Sequence, residues 1–275
     1  MTAAKNTQAK QQSGDGFASI FPFIAIPLCF VAAVLLYLFV FGSPSNFIDN
    51  DPTKDPLPGN YSGMIYKGGP VVPMLWGLLF IVLVFVIERF ITLGKAAGSG
   101  NVDSFVRSIK GFLDRGDING AIGACDKQKG SVANVVRAGL SKYGEMEKTS
   151  GMETDQKVLA IQKEVEEATT LELPMLEKNL SVLSTIASIA TLIGLLGTVL
   201  GMIRAFAALA HAGAPDSSAL ATGISEALIN TALGIGTSAI AIIFYNVFTG
   251  RIDGMTYRID EAGYSLTQTF ASRNA

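Results

Sequence analysis

The chain has 275 residues, of which 49% are hydrophobic and only 16% charged, with a mean hydropathy of +0.40 and a net charge of −2. Soluble domains carry about a quarter charged residues, so this composition excludes an ordinary water-soluble globule. The slightly acidic balance offers no basic surface for nucleic acid.

The missing charge is concentrated in four stretches. No charged residue occurs from Gly16 to Ile48, from Gly68 to Ile87 or from Asn179 to Ile203, and between Ser217 and Gly250 the only one is Glu226. A helix rises ~1.5 Å per residue and a bilayer core is ~30 Å thick, so about 20 apolar residues span it. All four runs are long enough. The predicted fold class is an all-α integral membrane protein with four transmembrane helices and long helices extending into the cytoplasm.

In chain order, residues 1–15 are polar, contain Lys5 and Lys10, and read as a loose cytoplasmic tail. Residues 16–42 form the first span. Its apolar run exceeds the ~7–15 residues of a signal-peptide core and lacks an Ala-x-Ala cleavage pattern, so it is expected to be retained. Residues 43–69 hold Pro44, Pro52, Pro56 and Pro58 among Gly, Asn and Asp, which is loop chemistry. The second span, 70–94, ends in Glu88, Arg89 and Lys95. Cytoplasmic ends collect Lys and Arg, so the proline-rich loop is expected in the periplasm and both termini inside.

Residues 95–180 hold most of the charge and read as a cytoplasmic helical domain. Asn101 or Asp103 can cap its first helix, Asp117 can start a second and Gly130-Ser131 a third. A long charged pattern from Glu153 to Glu177 contains Pro174, and no Gly/Pro cluster separates it from the third span, 181–212. One continuous helix crossing from membrane to cytoplasm is therefore predicted, with a separate helix ending near Pro174 as the alternative. A turn (213–219, with Gly213 and Pro215) leads to the fourth span, 220–248, and a modestly amphipathic tail, 249–275.

Little points to catalysis or to a cofactor. Cys29 falls mid-span and Cys125 in a polar segment, so they read as separate, inert thiols. His211 has no Cys or His companion, which argues against zinc or haem and places it at a membrane edge. The glycines from Gly194 to Gly201 lie inside a span and are no nucleotide loop.

The last two spans are rich in small and hydroxyl residues where plain anchors use leucine. Thr191, Gly194, Thr198, Gly201 and Ala205 share one helical face of the third span; Ala227, Thr231, Gly234 and Ser238 share one of the fourth. Such faces let membrane helices approach closely, and taken alone they favour packing over conduction. Height adds to this. With the spans centred near Leu196 and Gly234, Thr198 and Thr231 both lie ~3–5 Å outward of the midplane. Glu226, the one acid within a span, falls ~12 Å outward, as does Arg204, so the two can pair. Glu226 is about 140° round the helix from Thr231, on a face continued by Asn230, Leu233 and Thr237. Thr231 is thus expected to line an axis while Glu226 faces a neighbouring helix.

Several blocks in these spans, Thr185-Ile-Ala-Ser, Gly194-Leu-Leu-Gly-Thr-Val-Leu-Gly-Met-Ile, Gly223-Ile-Ser-Glu-Ala-Leu-Ile-Asn-Thr-Ala-Leu-Gly and Tyr245-Asn-Val-Phe, closely resemble the MotA/TolQ/ExbB proton-channel family, the ExbB branch above all. The likeness is dense over 178–252, loose over 70–177 and absent from 1–60. It implies a homopentamer in the bacterial inner membrane whose last two spans line a pore around a single-span ExbD- or TolR-like partner. That partner supplies a proton-carrying aspartate, and the output is a TonB-like energy transducer. It also implies that Thr198 and Thr231 face that aspartate and that Glu226 is the family's membrane glutamate; the shared faces and heights above add Thr191, Ala227, Gly234, Ser238 and Arg204 to the candidate set. Two prolines common in the family are absent here, at Thr191 and in Ala239-Ile-Ala-Ile, so straighter spans are expected. The chain has no acid at mid-depth, but level threonines can hydrogen-bond a partner carboxylate in either charge state. A charge crossing 100 mV gains ~2.3 kcal/mol, enough to bias a step. TolQ-like, flagellar or gliding stator, and non-conducting scaffold roles are the alternatives.

Overall fold

The computed structural model describes residues 20–211 and 217–274, the side chains of 208–211 and 217–219 excepted. The expected tail 1–15, the first residues of the first span, the His211 side chain and most of the 213–219 turn lie outside these described residues. All regular elements among them are helical, and four helices are long and apolar enough to cross a membrane. The chain divides into two compact units.

The first unit comprises residues up to Val86 together with Ser181–Tyr245. Helix α1, Ile20–Phe41, ends in a π-helical turn over Leu36–Phe41. Its small residues Ala25, Cys29 and Ala33, four apart, are buried. Phe30 rests on Gly77 of α3 (Val71–Ala97), Phe21 meets Phe85 edge-on at 5.6 Å, and Phe41 lies 5.2 Å from Trp76. The opposite face of α1 exposes Phe23, Leu28, Val31 and Phe39, as a lipid-facing surface would.

Between α1 and α3 the proline-rich segment is more ordered than loop chemistry predicts. Phe47 is fully buried, and Asn46 Nδ2 donates to the carbonyls of Val40 and Phe41 at 2.7 and 3.0 Å. A short helix α2, Tyr61–Lys67, follows, capped by Asn60, whose Oδ1 accepts from Gly63 N at 3.0 Å.

The same unit holds most of α8, Leu180–His211, and the first part of α9, Ser217–Arg273. These two pack backbone to backbone. A Cβ placed on Gly234 would come 2.6 Å from Ala190 O and 2.8 Å from Gly194 Cα, so only glycine permits this approach.

The second unit comprises Ile87–Leu180 and the chain from Asn246 onward. After the end of α3 come α4 (Val102–Arg115), α5 (Ile118–Gln128), α6 (Gly130–Lys148) and α7 (Thr154–Glu177). The α4 cap is Asn101, accepting from Asp103 N and Ser104 N, and Asp117 caps α5. The core joins Ile109 and Leu113 of α4, Val136, Leu140 and Tyr143 of α6, Ile161 of α7 and Leu266 and Phe270 of α9. Tyr143 and Phe270 meet edge-to-face at 4.8 Å. After residue 249 α9 continues helical to Arg273, whose Nη2 donates to Asp114 O at 3.0 Å.

The continuous helix expected across residues 153–212 is broken. It stops at Glu177 and restarts at Leu180, passing through Pro174 on the way. Asn179 takes φ +65°, a left-handed conformation that asparagine tolerates better than most residues. The break is held from α3. The fully buried Arg89 donates from Nη1 to Leu176 O at 3.2 Å, a carbonyl otherwise orphaned by the helix end. Glu88 pairs with Arg89 at 2.5 Å and lies 3.4 Å from Asn179 Nδ2.

Candidate functional site

The matched heights of Thr198 and Thr231 translate into direct contact. Their hydroxyls hydrogen-bond one another across α8 and α9. Thr231 Oγ1 also donates to Ala227 O at 3.2 Å, one turn back, and Thr198 Oγ1 lies 3.3 Å from Gly194 O and 3.4 Å from Ala227 O. Back-bonding to the preceding turn is how a hydroxyl is accommodated inside an apolar helix. Both threonines remain partly exposed, and around them Leu195, Val199, Leu228 and Ile235 are each at least half exposed. The polar pair therefore opens onto an apolar face of this unit.

The remaining members of the two stripes separate. Ala227, Gly234 and Ser238 are buried in the α8–α9 seam, and Ser238 Oγ donates to Ala187 O. These contacts are helix packing within one chain. Thr191 is partly exposed on α8, about two helical turns before Thr198.

Glu226 and Arg204 form an ion pair within the chain. The carboxylate is almost wholly buried, at 7% side-chain exposure, whereas the guanidinium side chain is 50% exposed. A buried carboxylate needs such a partner, because an unpaired charge in an apolar medium is costly. The close fit extends to the α2–α3 turn. Gly69 has φ +79°, and a Cβ there would collide with Glu226 Oε1 and lie 3.0 Å from Arg204 Nη1. Glu226 thus faces the turn between α2 and α3, while Thr231 faces α8.

Sequence patterning places Asn230 only as a continuation of the Glu226 face. In the structure it is completely buried, and its Nδ2 donates 2.9 Å to Gly68 O. Its Oδ1 is buried without a partner. An amide in the middle of an apolar run is the signal that marks it, since a buried amide in a membrane needs a specific acceptor. Among the described residues no three His, Cys, Asp or Glu side chains converge as a metal centre would need.

Comparison with known proteins bears on this geometry. The chain is similar to the Tol-Pal system protein TolQ of Pseudomonas aeruginosa, with 29% identity over 150 residues, 54% of this chain and 65% of that protein. It is similar to the putative biopolymer transport protein ExbB-like 3 of Synechocystis, with 40% identity over 86 residues, 30% of this chain and 41% of that protein. It is also similar to the biopolymer transport protein ExbB of Pseudomonas putida, with 37% identity over 81 residues, 30% of this chain and 25% of that protein. The matches thus span less than two thirds of each relative's length. The sequence profile described as the MotA/TolQ/ExbB proton channel family matches residues 127–261, a stretch holding all of α8, the Thr198–Thr231 contact and the Arg204–Glu226 pair. Over that stretch this multi-pass membrane chain matches the MotA/TolQ/ExbB proton channel family.

Proposed function

We propose that the chain is the ring-forming subunit of an ExbB-like, proton-driven motor of the bacterial inner membrane. Several copies, five by resemblance, surround a single-span partner of ExbD type and drive a TonB-like transducer. The supporting observation is the Thr198–Thr231 hydroxyl pair, joined across two apolar helices and left partly open on an apolar face. The pair lies in spans that carry no acid at that height. By turning one hydroxyl proton out of these bonds the pair donates to a carboxylate, and its oxygens accept from a carboxylic acid, so it solvates a partner's acid in both protonation states.

A proton-motive cycle then has a simple electrostatic basis. A partner aspartate that takes up a proton loses its need for the polar contact and can move past the flanking Leu228 and Ile235. Releasing the proton on the other side restores the charge and the contact. Glu226 has a different part in this scheme. Paired with Arg204 and packed against Gly69, it serves as a fixed structural ion pair. In the proposed topology both termini and the second unit are cytoplasmic and the α1–α3 segment is periplasmic; Thr191 borders the pore with the threonine pair, and Ala227, Gly234 and Ser238 pack in the seam behind it.

Thr198→Val and Thr231→Val test this directly. Each keeps shape and removes the hydroxyl. With the partner and transducer co-expressed, a motor subunit assembles normally but loses proton-dependent transport, by about tenfold or more if one hydrogen bond to the transition of the partner acid is lost. Unchanged transport with both valines in place would leave a packing scaffold, and a TolQ-type output would show as rescue of Tol-dependent rather than TonB-dependent work.

A further inference from the structure

The Gly68–Gly69 turn is gripped from two sides. On one side α9 supplies Asn230, bonded to Gly68 O, and Glu226, whose carboxylate fills the space beside Gly69. Glycine at 197 makes room for the amide, since a Cβ there would sit 2.5 Å from Asn230 Cβ. On the other side stands α1. The Tyr37 hydroxyl donates 3.0 Å to Tyr66 O, two residues before the turn, and the two rings stack with centroids 4.7 Å apart and planes at 22°. Phe47 closes the edge of Tyr66 at 5.5 Å, and Gly42, at the end of the π-helical turn, lets the Tyr66 ring approach where a Cβ would come within 2.6 Å of it.

We infer that Asn230 and Tyr37 are positioning residues: together they clamp the Gly68–Gly69 turn and, through it, hold the Arg204–Glu226 pair in place, with α1 as the second jaw. Three features converge on this. Asn230 is retained fully buried even though one of its polar atoms has no partner, so the bond it makes to Gly68 is the reason for an amide there. The Tyr37 bond reaches the same short segment from a different helix. The turn lies directly against the buried carboxylate of Glu226. The first span therefore does more than anchor: it braces an ion pair carried by two other helices. The clamp operates whether or not protons pass the threonine pair.

Hydrogen exchange read by mass spectrometry on the full-length chain in lipid nanodiscs tests the clamp. Asn230→Ala removes one jaw, and Tyr37→Phe removes only a hydroxyl from the other. Each loses one hydrogen bond to this segment, buried in one case and half-buried in the other, so amides in 61–70 exchange about threefold faster in either variant. The decisive readout is long-range. Tyr37→Phe also speeds exchange in 222–230 of α9, although the hydroxyl it deletes bonds to α2. Trp76, the single tryptophan, packs on Phe41 of α1, so its emission shifts to the red in Asn230→Ala as α1 loosens. Wild-type exchange of 222–230 in Tyr37→Phe would overturn the proposal, whatever 61–70 does. So would faster exchange in 222–230 of Asn230→Ala with 61–70 unchanged. If Asn230→Ala does not fold, the two segments of Tyr37→Phe decide alone.

Discussion

Two glycines two residues apart on α9 should respond oppositely to the same substitution. At Gly234, alanine places a Cβ 2.6 Å from Ala190 O, where an ordinary contact begins near 3.4 Å, so the helices must separate by about 0.8 Å. Overpacking of this kind costs about 2 kcal/mol. The shift also weakens the Thr198–Thr231 and Ser238–Ala187 hydrogen bonds, each worth ~0.6 kcal/mol between membrane helices. Better helix propensity returns about 1 kcal/mol, leaving a net destabilisation of about 2 kcal/mol. At Gly236 nothing lies within 4 Å of the added methyl, so only the propensity gain of up to ~1 kcal/mol remains. Reversible unfolding of the full-length chain in mixed micelles, titrated with sodium dodecyl sulfate, measures both. Equal effects at 234 and 236, or a stabilised Gly234→Ala, would refute the backbone-contact account of the α8–α9 seam.

Two further predictions concern the second unit. Asn179→Ala should cost about 1–2 kcal/mol in the same unfolding assay, because alanine resists the left-handed conformation at φ +65°, whereas Asn179→Gly should be close to neutral. Cys125 should resist maleimide at pH 8 in the folded chain and react on denaturation, because burial pushes its thiol from 9.0 up to about 12. The sign of the linked stability follows: the unfolded chain ionises first, so the contribution is full below about pH 8.5 and is lost as pH rises toward 12. Maleimide labelling of native Cys125 at the rate of a free thiol would contradict this.

What was legible in the sequence follows from what one-dimensional patterns encode. Four spans are visible because a membrane forbids charge over a length that residue counting measures directly. Thr198 and Thr231 meet as their heights predict, because a helix converts residue number into height linearly, and the Arg204–Glu226 pair follows from the same arithmetic. The break after Glu177 is hidden because it uses a single left-handed asparagine and a carbonyl capped by Arg89, 87 residues away, in place of glycine or proline. Helix α2 is hidden because seven residues among prolines carry too little periodicity. Asn230 is visible as a polar residue, but its partner Gly68 lies 162 positions earlier, and no spacing rule reports which turn rests on which helix.

The pairing of Arg204 with Glu226 has an electrical consequence. A cation and an anion joined at one depth form a neutral dipole, so a transmembrane voltage exerts almost no net force on them. This pair is therefore voltage-silent. In the proposed assembly, the work of the field is then done on ions that this pair does not supply.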